Sequence, residues 1–133
     1  MTGMSPVELL NVPGRAPNPL YHAVSVAEGA RSIAIAGQVG DDAEGNLVGD
    51  DLAAQTAQAL RSVHGALAAA DAGPEHLTSI TVYVVGWREE LMPALVEGMQ
   101  AGGEAPPVPA TLIGVQSLFA PGYLVEVVAT AVA

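Results

Sequence analysis

The closing segment YLVEVVATAVA, residues 123–133, is apolar except for a single charge, Glu126. Alternation places Leu124, Glu126, Val128, Thr130 and Val132 on one face of a strand, and Tyr123, Val125, Val127, Ala129 and Ala131 on the other. Neither face reads as solvated, so the carboxylate needs a partner, a proton, or access to a wet pocket. A carboxylate so placed can act as a general base or hold an attacking water. The other chemistry-bearing residues carry less. His22, His64 and His76 have neither HxH nor HExxH spacing, and His64 reads as a packing or surface residue of a helix. The acidic loop GDDAEGNLVGDD (40–51) lacks the glycine position and spacing of an EF-hand loop. Gly37-Gln38-Val39-Gly40 has no lysine and no GxGxxG pattern, so it is no phosphate cradle. No Ser-His-Asp set stands out. The expectation is no metal and no cofactor.

The elements that must position Glu126 follow from periodicity. Residues 1–18, punctuated by Pro6, Pro13 and Pro17, read as an irregular or edge-strand lead-in. LYHAVSV (20–26) and SIAIAGQ (32–38) are expected to pair as a hairpin across EGAR. Asp50 is the expected N-cap of a helix that runs toward Gly73-Pro74, with Leu52, Thr56, Leu60, Val63 and Leu67 on one face. HLTSITVYVVG (76–86) is a β-branched strand. WREELMPALVEGMQAGG is a second helix with Leu91, Leu95 and Met99 aligned and Pro93 in its first turn or at a kink. PPVPATLIGV leads into a further strand, and YLVEVVATAVA closes the sheet. The order ββαβαββ predicts a single α+β domain over residues 1–133, with both helices on one sheet face. The other face also reads apolar, and partner subunits are its natural cover.

Composition narrows the function. The 133 residues include four arginines (Arg15, Arg31, Arg61, Arg88), no lysine and fourteen acids, a net charge of −10. No basic cluster exists for phosphate, which argues against nucleic acid and against anionic membranes. Without cysteine there is no disulfide or thiolate chemistry. The first residues resemble no signal peptide and no segment is long enough to span a bilayer, so a cytoplasmic protein is expected. Half the residues are hydrophobic and the mean hydropathy is +0.39, more apolar surface than one small domain hides.

In order, YHAVSV, SIAIAGQVG, GNLVGDDLAAQTAQALRSVHGALAAADAG, ITVYVVG, LIGVQSL and LVEVVATAVA resemble the Rid family, also called YjgF or endoribonuclease L-PSP-like, over residues 17 to 133. The resemblance implies a chorismate-mutase-like fold and a homotrimer with a small-molecule cleft between neighbouring subunits. In the family's best-known branch those clefts hydrolyse 2-imino acids to 2-keto acids and ammonia. Carried over by position, the family's tyrosine matches Tyr21 and its S-G-Q block matches Ala36-Gly37-Gln38, with the serine lost. Its water-holding carboxylate matches Glu126. The arginine that clamps the substrate carboxylate falls at Ala110 or Thr111, depending on the alignment. The small residue that follows falls at Leu112 or Ile113. No cation follows Arg88.

Three functions therefore stand. One is a hydrolase of a neutral or cationic small molecule using Glu126, with weak or no 2-imino acid deaminase activity. Another is a non-catalytic, metabolite-binding trimer. The last is a standard imine deaminase whose clamp has moved, with Arg31 or Arg88 supplying the cation. Charge disfavours ribonuclease activity.

Overall fold

The computed structural model describes residues 7–133. In chain order the elements are β1 (Val7–Leu10), β2 (Val24–Ala27), β3 (Ser32–Val39), α1 (Leu52–Ala69), β4 (Leu77–Val85), α2 (Met92–Ala101), β5 (Ala110–Val115) and β6 (Val125–Val132). Short 3-10 turns at Pro74–His76 and Glu89–Leu91 lead into β4 and α2. The main sheet runs β3-β6-β4-β5, and β1-β2 form a separate two-stranded ribbon. Strand β6 is antiparallel to both its neighbours, whereas β4 and β5 are parallel, as a helical crossover through α2 requires. The expected α+β architecture, two helices on a mixed sheet, is what the chain forms.

Period-two alternation sorts β6 into two faces. Val125, Val127, Ala129 and Ala131 are buried beneath the helices with Leu60, Val63 and Leu67. Glu126, Val128, Thr130 and Val132 point the other way and are half-buried or exposed. On β4, Ile80, Val82 and Val84 belong to the core, while Thr81, Tyr83 and Val85 share the open face with Glu126.

Three local expectations are corrected. The N-cap of α1 is Asp51, not Asp50: its backbone is extended and its Oδ1 accepts the Ala54 N–H at 2.7 Å. The helix stops before Gly73-Pro74, because Asp71 turns left-handed (φ 54°) and the Ala72 N–H returns to the Leu67 carbonyl at 2.9 Å. The hairpin between residues 20–26 and 32–38 does not form. Arg31 and Ala133 exchange backbone hydrogen bonds of 2.9 and 3.0 Å, which starts β3 on β6 from its first residue. β2 pairs instead with β1, and Ser25 Oγ donates to the Thr78 carbonyl at 2.7 Å. Of the lead-in, residues 1–6 lie outside the described residues, and the edge-strand part is β1. Pro93 sits in the first turn of α2, as its missing N–H favours.

One buried polar side chain ties these parts together. Gln55 of α1 is wholly inaccessible to solvent. Its Nε2 donates to the carbonyls of Gly49 and Gly122, each at 2.9 Å, and its Oε1 accepts the Leu124 N–H at 2.8 Å. The amide thus joins α1, the acidic loop and the approach to β6. Gly40 lets the chain pass: a Cβ there would come within 2.7 Å of Gln55 Cα. Replacing Gln55 by leucine leaves two carbonyls and one N–H without their partner. At about 1–3 kcal/mol for each unsatisfied buried group, Gln55→Leu should lose about 3 kcal/mol or more in urea unfolding. A loss below about 1 kcal/mol would show that the amide is not a structural tie.

Candidate functional site

Glu126 owes its setting to a bulge. Ile35 pairs with Ala129 and Gln38 with Val127, so Ala36 and Gly37 together oppose Val128. The bulge brings Gly37 directly beneath the Glu126 side chain. A Cβ on Gly37 would lie 2.8 Å from Glu126 Cγ and would overlap the carboxylate itself. Gly37 does not have a positive φ, so the position requires glycine for space rather than for backbone freedom. Gln38 turns back, its Nε2 donating to the Ala36 carbonyl at 3.0 Å. Ala36, Gly37, Gln38 and Glu126 therefore form one cluster. Among the described residues, no hydrogen bond or ion pair engages the Glu126 carboxylate.

Register places the remaining residues. Glu126 lies opposite Tyr83, and Tyr83 opposite Ile113, in one row across β6, β4 and β5. Val128, Thr81 and Thr111 make the next row. Ala110 pairs with Ile80, whose side chain is buried on the helix side. Of the two positions for the family's arginine, Thr111 is thus the one that shares a face with Glu126. Ile113, 38% exposed, occupies the position two residues on.

Tyr21 belongs to a second group. Residues 19–23 run beside the start of β5: the His22 N–H donates to the Pro107 carbonyl at 2.7 Å, and His22 Nδ1 lies 3.0 Å from the same oxygen. Tyr21 shares a hollow of about 290 Å³ with Thr81, Ala110 and Thr111. From Glu126 to Thr111 is two strand spacings, about 9–10 Å, with a two-residue offset added. One chain therefore presents two separate groups, Gly37–Glu126 and Tyr21–Thr111.

Among the described residues no arginine forms an ion pair with Glu126. Arg31 Nη2 donates to the Ala70 carbonyl at 2.7 Å, beyond the opposite end of β6. Arg88 is exposed and 3.8 Å from Glu90, and Arg61 donates to Gln58 at 3.2 Å. Arg15 lines a crevice of about 250 Å³ with Asn11, Asn18 and Tyr21. Sequence reasoning missed Arg15 and Tyr83. The alternation Thr81, Tyr83, Val85 could have found Tyr83 once the face of Glu126 was known. Among the described residues no group of three or more His, Cys, Asp or Glu could hold a metal ion, and no helix is long and apolar enough to cross a membrane.

Comparison with known proteins agrees with this fold. The family described as Endoribonuclease L-PSP matches residues 14–133. A Rid-family protein from Yersinia pestis, YyfB, is 32% identical, with a TM-score of 0.87 over 96% of this chain and 99% of its own. A YjgF-family protein from Mycobacterium tuberculosis is 28% identical, with a TM-score of 0.63 over 96% and 99%. RidA from an Antarctic Psychrobacter, 20% identical, shares the fold with a TM-score of 0.68 over 89% and 92%. No curated protein matches the chain.

The Gly37–Glu126 contact can be measured directly. Gly37→Ala should cost about 1–3 kcal/mol, the usual cost of overpacking, because the new methyl group and the carboxylate compete for one space. In a Glu126→Ala background the same substitution should cost less than about 0.5 kcal/mol. Equal costs in both backgrounds would mean that the carboxylate does not rest on Gly37.

Proposed function

The chain belongs to the endoribonuclease L-PSP family, the Rid or YjgF group, and from that premise we propose that it binds a small metabolite in clefts between the subunits of a homotrimer. The ligand is neutral or cationic, and Glu126 holds and activates water for its hydrolysis. The observation that carries this reading is the Glu126 carboxylate, set over Gly37 without a partner among the described residues, on a face where Thr111 replaces a guanidinium. In such a site the carboxylate takes a proton from water as the water oxygen bonds to an electrophilic carbon. It then returns the proton to the departing group. Tyr83 and Ile113 line the same row, and Ala36 and Gln38 flank the glycine. The two half-sites of one chain support a cleft completed by a second copy, which would bring Tyr21 and Thr111 of one subunit toward Glu126 of another. The open face, where Val85, Val128 and Val132 lie among threonines, is the surface for that assembly.

A second reading rests on Arg15. It shares the Tyr21 crevice, and among the described residues no acid pairs with its guanidinium. A moved clamp would sit there rather than at Arg31 or Arg88, and would restore 2-imino acid deamination.

Sedimentation should show a trimer of the 13.4 kDa chain; a stable monomer at micromolar concentration would remove the shared cleft. The substrate class is decided by hydrolysis of freshly generated 2-iminopropanoate. Losing a desolvated charge pair costs about 2–5 kcal/mol, so wild type should turn over at least about 30-fold more slowly than an arginine-bearing relative. Thr111→Arg should gain activity and Ala110→Arg should not, because only position 111 lies on the sheet face that carries Glu126. Strong wild-type activity abolished in both Glu126→Ala and Arg15→Ala would establish the second reading instead. Inactivity in every variant, with no hydrolysis of neutral or cationic imines, would leave a binding trimer without catalysis.

A further inference from the structure

Between α1 and α2 runs a groove of about 550 Å³ that no strand residue lines. Glycines bring the two helices together there. A Cβ on Gly98 would come within 2.6 Å of the Ala53 carbonyl oxygen, and one on Gly102 within 2.7 Å of the Ala57 carbonyl oxygen. A step along α2 thus matches an equal step along α1, so the helices run side by side in the same direction. Charge is divided along the groove. Asp51 caps the start of α1, and Glu97 precedes Gly98, which lies against Ala53 near that start. Arg61 borders the groove about 15 Å farther along the α1 axis than Asp51, at the usual rise per residue. Among the described residues neither Arg61 nor Glu97 has an ion-pair partner, although both border the one groove. The guanidinium is nevertheless held: its Nη1 donates to Gln58 Oε1 at 3.2 Å, and Gln58 Nε2 donates to the Asp41 carbonyl at 3.0 Å. Its other N–H groups remain for a guest.

We infer that this groove binds a small zwitterion whose ammonium and carboxylate stand several bonds apart, as in an ω-amino acid or a short peptide. The guest carboxylate meets the Arg61 guanidinium, which offers parallel N–H donors to its two oxygens. The ammonium meets Asp51 and Glu97, and the chain between lies on the methyl groups of Ala53, Ala57 and Ala101. The volume falls in the range of small-molecule pockets, roughly 300–1,000 Å³. Each charge contact alone is weak, as exposed pairs in water are. Joined in one guest, the second forms at the high effective concentration set by the first. A lone anion would gain Arg61 but meet two carboxylates and the net charge of −10, and a lone cation would leave Arg61 unused. An α-amino acid holds its charges too close together to reach both ends. The groove shares no residue with the Gly37–Glu126 group or the Tyr21–Thr111 group.

The ω-amino acid 5-aminopentanoate and its isomer norvaline, with pentylamine and pentanoate as single-charge controls, test the inference on the intact protein. Alanine methyl NMR, with assignments from Ala53→Ser and Ala101→Ser, reports occupancy at the groove itself. At millimolar concentration 5-aminopentanoate should shift both signals saturably, at least about fivefold more tightly than any of the other three. Arg61 and Glu97 are exposed, so Arg61→Gln and Glu97→Gln should retain the thermal transition. Each should weaken binding at least about fivefold, and Glu126→Gln should leave it unchanged. Absence of saturable shifts would overturn the inference, as would equal binding of norvaline. Equal binding of pentylamine would show only a general attraction of cations to an acidic surface, which also overturns it. Unaltered binding in Arg61→Gln would do the same.

Discussion

Everything at the Glu126 end of the sheet depends on the buried amide of Gln55. A helix start, an acidic loop and the turn before β6 have no reason of their own to meet. They meet because one side chain satisfies the Gly49 and Gly122 carbonyls and the Leu124 N–H together. Such a group contributes little net energy when satisfied but costs much when any partner is withdrawn. It therefore specifies a geometry more than it adds stability. Leu124 lies two residues before Glu126, so the same bonds that anchor α1 also set where the carboxylate begins its path across the open face.

The bulge at Ala36-Gly37 is the second constraint, and it works by subtraction. An extra residue in β3 and a missing Cβ at Gly37 together open the space that the Glu126 side chain fills. The carboxylate is consequently neither on the solvent surface nor within the core. It lies half-buried, in a row that continues through Tyr83 to Ile113. A charge in that position retains enough contact with water to remain tolerable.

The sheet is also a partition. β5 is a single strand with Leu112 toward the helices and Ile113 toward the open face. On the open face the acid has no guanidinium opposite it, and the overall charge of −10 adds to the penalty for an anionic ligand. On the helix side, no charged residue among the described ones lines the space beneath α2.

Much of this was legible in the residues themselves. Alternation in LVEVVATAVA identified a strand and separated Glu126 from the face of Val125, Val127 and Ala129, without showing which face the helices cover; helical spacing identified the core face of α1; and the ordered blocks from YHAVSV to LVEVVATAVA identified the family. These features are local, and periodicity reports them without knowledge of any partner strand. What sequence could not decide was pairing and register. The hairpin expected between residues 20–26 and 32–38 gave way to β1-β2 and β3-β6, because the backbone bonds between Arg31 and Ala133 compete for the same edge. Ala110 and Thr111 were equivalent readings until the parallel ladder with β4 put Thr111 beside Thr81 and Ala110 beside the buried Ile80. A shift of one residue reverses the face of every side chain in a strand, so an alignment ambiguous by one residue leaves the site undetermined. The bulge at Gly37, the separation of Tyr21 from Glu126 and the gap beneath α2 likewise arise from how elements pack together, and packing is settled only when the whole chain has folded.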